Sequence, residues 1–184
     1  MRAWLAALGV VLLAGCATQG EDLAPNTVGK VNLKRYQGMW YEQARLPMFF
    51  QRDCAQSEAH YQLKADGNMD VLNRCRTLDG EMQEAHGTAR SVSPGINDRL
   101  KVSFDTWFSG VLPGVATGDY WIIYLSDDYR YAIVGHPNHK YLWLLTRSRT
   151  VPEDIRQLLM AKARQQGYDT SRLIWRTPDS DIRH

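Results

Sequence analysis

Cys16, Cys54 and Cys75 are the side chains of this sequence with the widest choice of chemistry: acylation, a disulfide, a metal site or a nucleophile. A catalytic nucleophile needs a base within hydrogen-bond reach and a third group to orient that base. His136 and His139 flank Pro137-Asn138 and read as turn residues, and neither G-x-S-x-G nor H-E-x-x-H occurs. A metal centre is little better supported, because Cys54 and Cys75 have His60 in the same segment but no C-x-x-C spacing. No metal and no other cofactor is expected. The 22 basic and 20 acidic residues are spread along the chain, for a net charge of +2, so no basic patch points to nucleic acid. A length of 184 residues with 44% hydrophobic content suits one domain around one core.

The N-terminus sets the compartment. Met1-Arg2 supplies a positive end, Trp4 to Ala14 is apolar apart from Gly9, and small residues lead to Cys16. This run falls short of the about 20 residues that a ~30 Å hydrocarbon core requires, and it reads as a secretory signal over residues 1–15. The stretch "LAGC", Leu13 to Cys16, resembles a bacterial lipobox, where cleavage leaves an N-terminal cysteine that receives acyl chains. The resemblance implies lipidation of Cys16. Ala17 in place of Asp after it implies export to the outer membrane, with the domain facing the periplasm. Acyl chains on thiol and amine together anchor stably, where a single chain is marginal. In an oxidising periplasm the remaining pair, Cys54 and Cys75, is most simply a disulfide closing a loop of about twenty residues, worth roughly 3 kcal/mol in the chain-entropy model.

The elements that must position these groups follow. Residues 16–32, "CATQGEDLAPNTVGKVN", have little apolar periodicity and are expected to be an acylated tether, with the folded domain over 33–184. Segments rich in Tyr, Val, Ile and Trp then alternate in polarity at about 39–45, 55–63, 69–76, 83–92, 99–105, 119–125, 130–136 and 141–147. Turn signals such as Asp66-Gly67-Asn68, Asp79-Gly80 and Pro137-Asn138 separate them, which predicts an antiparallel all-β sandwich or barrel. One helix is predicted. Thr150-Val151-Pro152-Glu153 has a capping-box pattern, and Ile155, Leu158, Leu159 and Ala163 share a face before Gly167. A short ninth strand is expected at Leu173-Ile174-Trp175. On one parity lie Ser57, Ala59, Tyr61 and Leu63, and likewise Gly87, Ala89 and Ser91, so small inward residues hint at a cavity.

Three motifs in order carry a family resemblance: Gly38-Met39-Trp40 at the first strand, Gly118-Asp119-Tyr120 at the sixth, and Leu145-Thr146-Arg147 ending the eighth. With a signal before them and a helix after, residues 30–177 resemble a lipocalin, and "LPMFFQRDCAQSEAHY" resembles the bacterial outer-membrane lipocalins. Gly118 stands where the family usually has Thr. The resemblance implies an eight-stranded antiparallel up-and-down barrel with the C-terminal α-helix packed on its outside. Gly38, Trp40 and Arg147 would form the plug at its closed end, the guanidinium stacked on the indole.

In such a barrel the loop after the first strand lies at the open end, so Phe49 and Phe50 are expected to rim the mouth. The apolar loop from Asp105 to Gly118, with Trp107, Phe108, Val111, Leu112 and Val115, would lie on the same side, docking on a bilayer or covering the pocket. Parity from Trp40 and Arg147 then assigns a lining: Glu42 and Ala44; Ala59 and Tyr61; Leu100, Val102 and Phe104; Tyr120, Ile122 and Tyr124; Ala132, Val134 and His136; Tyr141, Trp143 and Leu145. The lining is mostly apolar, which suits a long tail with a small polar head, and the resemblance supplies the ligand class of fatty acid or lysophospholipid. The expected function is therefore storage, transport or membrane maintenance by an anchored binding protein. Two other readings compete: a structural envelope or homodimerisation module, and an enzyme acting on an apolar substrate, for which Cys54 would be the nucleophile.

Overall fold

The segments that alternate in polarity become strands. A computed structural model describes residues 23–105 and 116–183; the predicted signal, Cys16, Trp107 and the other apolar residues of the 106–115 loop lie outside them. The strands are β1 (Gly38–Arg45), β2 (Cys54–Leu63), β3 (Met69–Thr77), β4 (Met82–Ser91), β5 (Arg99–Phe104), β6 (Ala116–Leu125), β7 (Tyr131–Gly135), β8 (Leu142–Thr146) and β9 (Ile174–Trp175). Two helices flank them, α1 (Leu33–Tyr36) and α2 (Glu153–Gln165). Consecutive strands from β1 to β8 pair antiparallel, and β8 pairs with β1, so the sheet closes on itself. Closure removes the edges that an open sheet would expose. Where β1 leaves β2 near its end, β9 takes the free edge, pairing Ala44 with Trp175 and Arg45 with Ile174.

Two apolar clusters result, one on each face of the sheet. Inside lie Trp40, Ala59, Tyr61, Val71, Val102, Phe104, Ile122, Val134 and their neighbours. Gly87 is needed here, since a Cβ on it would come within 2.8 Å of the Phe104 ring and 2.5 Å of the Ser103 carbonyl oxygen. Outside, Leu159 and Ala163 of α2 pack on Ile123, Ile133, Leu142 and Leu144, the face predicted from their helical spacing. The predicted capping box does not form: Pro152 is the N-cap, with no side-chain cap bond, and Glu153 and Asp154 supply negative charge to the first turn instead.

Both β1 and β6 carry a bulge that shifts the side-chain parity. Glu42 pairs with Leu145 but Ala44 with Leu144, leaving Gln43 as the extra residue. Its amide nitrogen donates to Thr146 Oγ1 at 2.8 Å and to the Ser148 carbonyl at 3.0 Å, which fixes the bulge from outside. On β6 the register breaks between Ile122 and Tyr124. An extra residue turns every later side chain to the opposite face. Ala44 and Tyr124, expected inside, therefore lie in the cluster under α2.

The expected tether is also shorter than residues 16–32. Pro25 is buried, Thr27 Oγ1 bonds to Asp98, and the Val28 and Val31 amides donate to the carbonyls of Ile122 and Ile96 at 3.0 and 2.7 Å. From Pro25 the chain packs on the barrel, because the Ile122 and Ile96 carbonyls and a buried apolar site for Val31 are available to it.

Candidate functional site

The closed end of the barrel is built around Trp40, which is fully buried. α1 crosses beneath it, started by Asn32, whose side chain accepts from the Arg35 amide. Trp40 Nε1 donates to the Tyr36 carbonyl at 2.8 Å. The Arg147 guanidinium lies 3.8 Å from the indole centroid and donates to the carbonyls of Met39, Tyr36, Gln37, Arg35 and Tyr129 at 2.7–3.2 Å. A planar five-donor cation is suited to that many converging carbonyls. Gly38, with φ of 98°, lets the chain turn from α1 into β1 beside Arg147 Nη1.

Above the indole stand three tyrosines. The Tyr120 hydroxyl is 2.7 Å from that of Tyr36 and 3.1 Å from that of Tyr61. Burial pushes the Tyr61 phenol up to about 12 and raises Tyr36 and Tyr120 as well. The floor is thus uncharged, with its hydroxyls mostly spent on one another.

Over this floor opens a cavity of about 290 Å³. Ala59, Val71, Val102, Phe104 and Leu145 form its apolar wall. Rings lead from the mouth inward: Phe49 edge-on to Phe50, Phe50 to Tyr141 and Tyr141 to Trp143, with centroids 5.3, 5.3 and 6.1 Å apart. Phe49 is 62% exposed and lies at the rim, where Phe50 is half-buried. His136 packs edge-on against Tyr141 and sits 3.8 Å from an Asp119 oxygen.

The loop that carries the two phenylalanines is held by a buried polar network. Phe49, Phe50 and Gln51 make one 3₁₀ turn. Gln51 then reaches inward: its amide nitrogen donates to Glu42 Oε2 at 3.0 Å and Ser57 Oγ at 3.1 Å, while its amide oxygen accepts from Trp143 Nε1 at 2.9 Å. Arg45 donates to Glu42 Oε1 at 3.1 Å and to the carbonyls of Gln51 and Cys54 at 2.7 and 3.0 Å. Burial raises the Glu42 carboxyl above its ordinary value, against the opposing pull of Arg45 and Gln51. The Cys54–Cys75 disulfide, with Cα atoms 5.3 Å apart, ties the far end of the loop to β3 and removes Cys54 as a free thiol.

Of the residues assigned to the lining from sequence, Glu42, Phe49, Phe50, Ala59, Tyr61, Val102, Phe104, Tyr120 and Trp143 border the cavity. His136, Tyr141 and Leu145 do too. Ile122 and Val134 face inward but are fully buried in the packed layer around Trp40, below the open space. Ala44 and Tyr124 lie outside the barrel. Sequence reasoning missed Gln51, Val71 and Asn73. The period of two along β3 from Met69 could have found Val71 and Asn73, but β3 carries no motif from which to start the count.

Residues 31–178 match the family model described as a lipocalin-like domain. The chain is 39% identical over 177 residues to the outer membrane lipoprotein Blc of Vibrio cholerae, covering 95% of this chain and 98% of that protein. It is 33% identical to the protein of the same name from Escherichia coli K12, over 92% of each. Among solved structures, insecticyanin from the tobacco hornworm Manduca sexta shares the fold with a TM-score of 0.69 at 18% identity, over 89% of each chain. The sheet order, the floor and these relatives agree: the chain belongs to the lipocalin family, among its bacterial outer-membrane lipoproteins.

Proposed function

We propose that this protein is an outer-membrane-anchored carrier that holds one fatty acid or lysophospholipid in its barrel, tail toward the tyrosine floor and head at the mouth. The observation that carries the reading is the cavity itself: about 290 Å³, with a largely apolar wall, an uncharged tyrosine floor and Phe49 and Phe50 in its lining. That volume sits near the lower end of small-molecule sites, about 300–1,000 Å³, which favours a single chain over a two-chain lipid. The charged groups nearest the loop are engaged by protein partners: both Glu42 oxygens are taken by Arg45 and Gln51, and Arg74 is paired with Glu58 and Glu84. The relatives named as outer membrane lipoproteins support anchoring through Cys16, which the "LAGC" stretch suggests independently.

Native mass spectrometry of gently extracted protein tests the reading. A co-purifying adduct of single-chain lipid mass is expected; an empty barrel from membranes rich in such lipids contradicts it and favours a structural role.

A further inference from the structure

The chain that leads to the proposed anchor leaves the barrel beside its mouth. From Val31, whose amide donates to the Ile96 carbonyl at the plug end, the segment runs back past Ile122 to Asn26, whose amide donates to Gln166 Oε1 at 2.9 Å. Gln166 caps the C-terminus of α2, and its carbonyl meets His139 Nε2 at 2.8 Å in the turn between β7 and β8. His136 and Tyr141, at the two ends of that turn, line the cavity. About ten residues separate Asn26 from Cys16, at most roughly 36 Å when fully extended. So short a leash from that point favours an open end that faces the membrane.

The open end is also where apolar surface is left uncovered. Among the described residues, Phe49 on the lid turn and Leu78 and Met82 on the β3–β4 hairpin are 62%, 55% and 55% exposed. The two elements are neighbours, since Cys54 after the lid pairs with Thr77 before the hairpin turn. The hairpin is held from behind, where the Arg183 amide donates to the Leu78 carbonyl at 2.9 Å. The charges that flank Phe49 and Leu78 are paired, Arg52 with Asp53 at 3.5 Å and Arg183 with Asp79 at 2.9 Å. Glu81 stands outside such a pair among the described residues, which favours a zwitterionic surface over a strongly anionic one. Val92 and Ile96 are exposed too, but on the β4–β5 turn, at the end from which the tether runs away.

We propose that the open end of the barrel docks on the phospholipid bilayer that holds the anchor, with Phe49, Leu78 and Met82 at the boundary between headgroups and acyl chains. Peripheral contact of this kind strengthens with the apolar area buried, and it adds a second point of attachment to the acyl chains. The mouth then opens onto lipid, and a single-chain ligand passes between bilayer and cavity without crossing water. The inference rests on anchoring through Cys16 and gives that anchor an orientation.

The test uses the acylated protein, purified from membranes and reconstituted into vesicles of phosphatidylethanolamine and phosphatidylcholine, with amide hydrogen exchange read over residues 46–53. Leu78→Asp with Met82→Asp leaves that segment unaltered in sequence and should speed its exchange about tenfold, as the bilayer contact weakens. Val92→Asp with Ile96→Asp at the plug end should leave it within about twofold of wild type. Exchange in β6 and β7 shows that each variant is folded. Equal exchange at 46–53 in all three proteins, or a change confined to the plug-end variant, overturns the docking alone. So does the same tenfold difference in the unanchored chain from Ala17 without vesicles, which would be a local effect of the substitutions. Protein recovered without acyl chains overturns the anchored reading and the docking with it.

Discussion

Trp40 closes the barrel as one rigid ring where several smaller side chains would leave voids, and Arg147 couples that ring to α1 and to the turn at Tyr129. Removing the ring should leave a cavity that the surrounding strands cannot collapse into. Trp40→Ala is expected to lower stability by roughly 3–5 kcal/mol, and Arg147→Ala by less, in denaturant unfolding. An unchanged midpoint for Trp40→Ala would remove its role as the plug. Glu42 makes a pH prediction. Its carboxyl is raised in the folded state, chiefly by burial, from an ordinary 4.5, so the folded protein holds this proton more tightly than the unfolded chain does. As pH rises through and above the ordinary value, the unfolded chain releases the proton first and the fold loses stability. Relative to Glu42→Gln, wild type should therefore lose stability as pH rises above the ordinary 4.5. Denaturation curves of both proteins across that range check the sign; a difference that moves the other way would mean that Arg45 outweighs burial.

At the scale of elements, the lid is the 3₁₀ turn at Phe49–Gln51, pinned by Gln51 below and by the disulfide at its far end. Phe49 and Phe50 lie at the mouth, so replacing both by Ala should speed lipid release several-fold while changing association little, as stopped-flow displacement would report. Trp143 lines the wall beneath them, and Trp143→Ala should weaken binding itself. Replacing Cys54 and Cys75 by Ser should lower stability by roughly 3 kcal/mol, as measured by thermal unfolding with and without reductant. Much of this was legible in the sequence. Alternation along each strand, Gly and Asp at the turns and the apolar face of α2 gave the elements within a few residues. The bulges at Gln43 and between Ile122 and Tyr124 were not, because a bulge adds one residue without changing the apparent alternation before it. That single extra residue is why Ala44 and Tyr124 were expected inside. α1 escaped notice because four residues are too few to show helical periodicity. The docking of residues 25–32 escaped it because the segment is held by carbonyls elsewhere in the chain, Ile122 on β6 and Ile96 in the β4–β5 turn, not by a pattern of its own.

The whole molecule combines a packed lower half with an open upper half, and its proposed anchor stands at the N-terminus. Cys16→Ser should block acylation and leave the protein unprocessed or free of the outer-membrane fraction; a mutant still processed and still in that fraction would rule out lipidation there. The central claim is that the barrel takes up a single-chain lipid, and Trp143 in its wall reports on that event directly. The decisive measurement is a titration of delipidated, folded protein with a fatty acid and with a lysophospholipid, following intrinsic tryptophan fluorescence. Saturable, one-to-one quenching by at least one of them, lost or weakened in Trp143→Ala by a ligand-displacement assay, is the result expected; no saturable binding of either lipid would contradict the account.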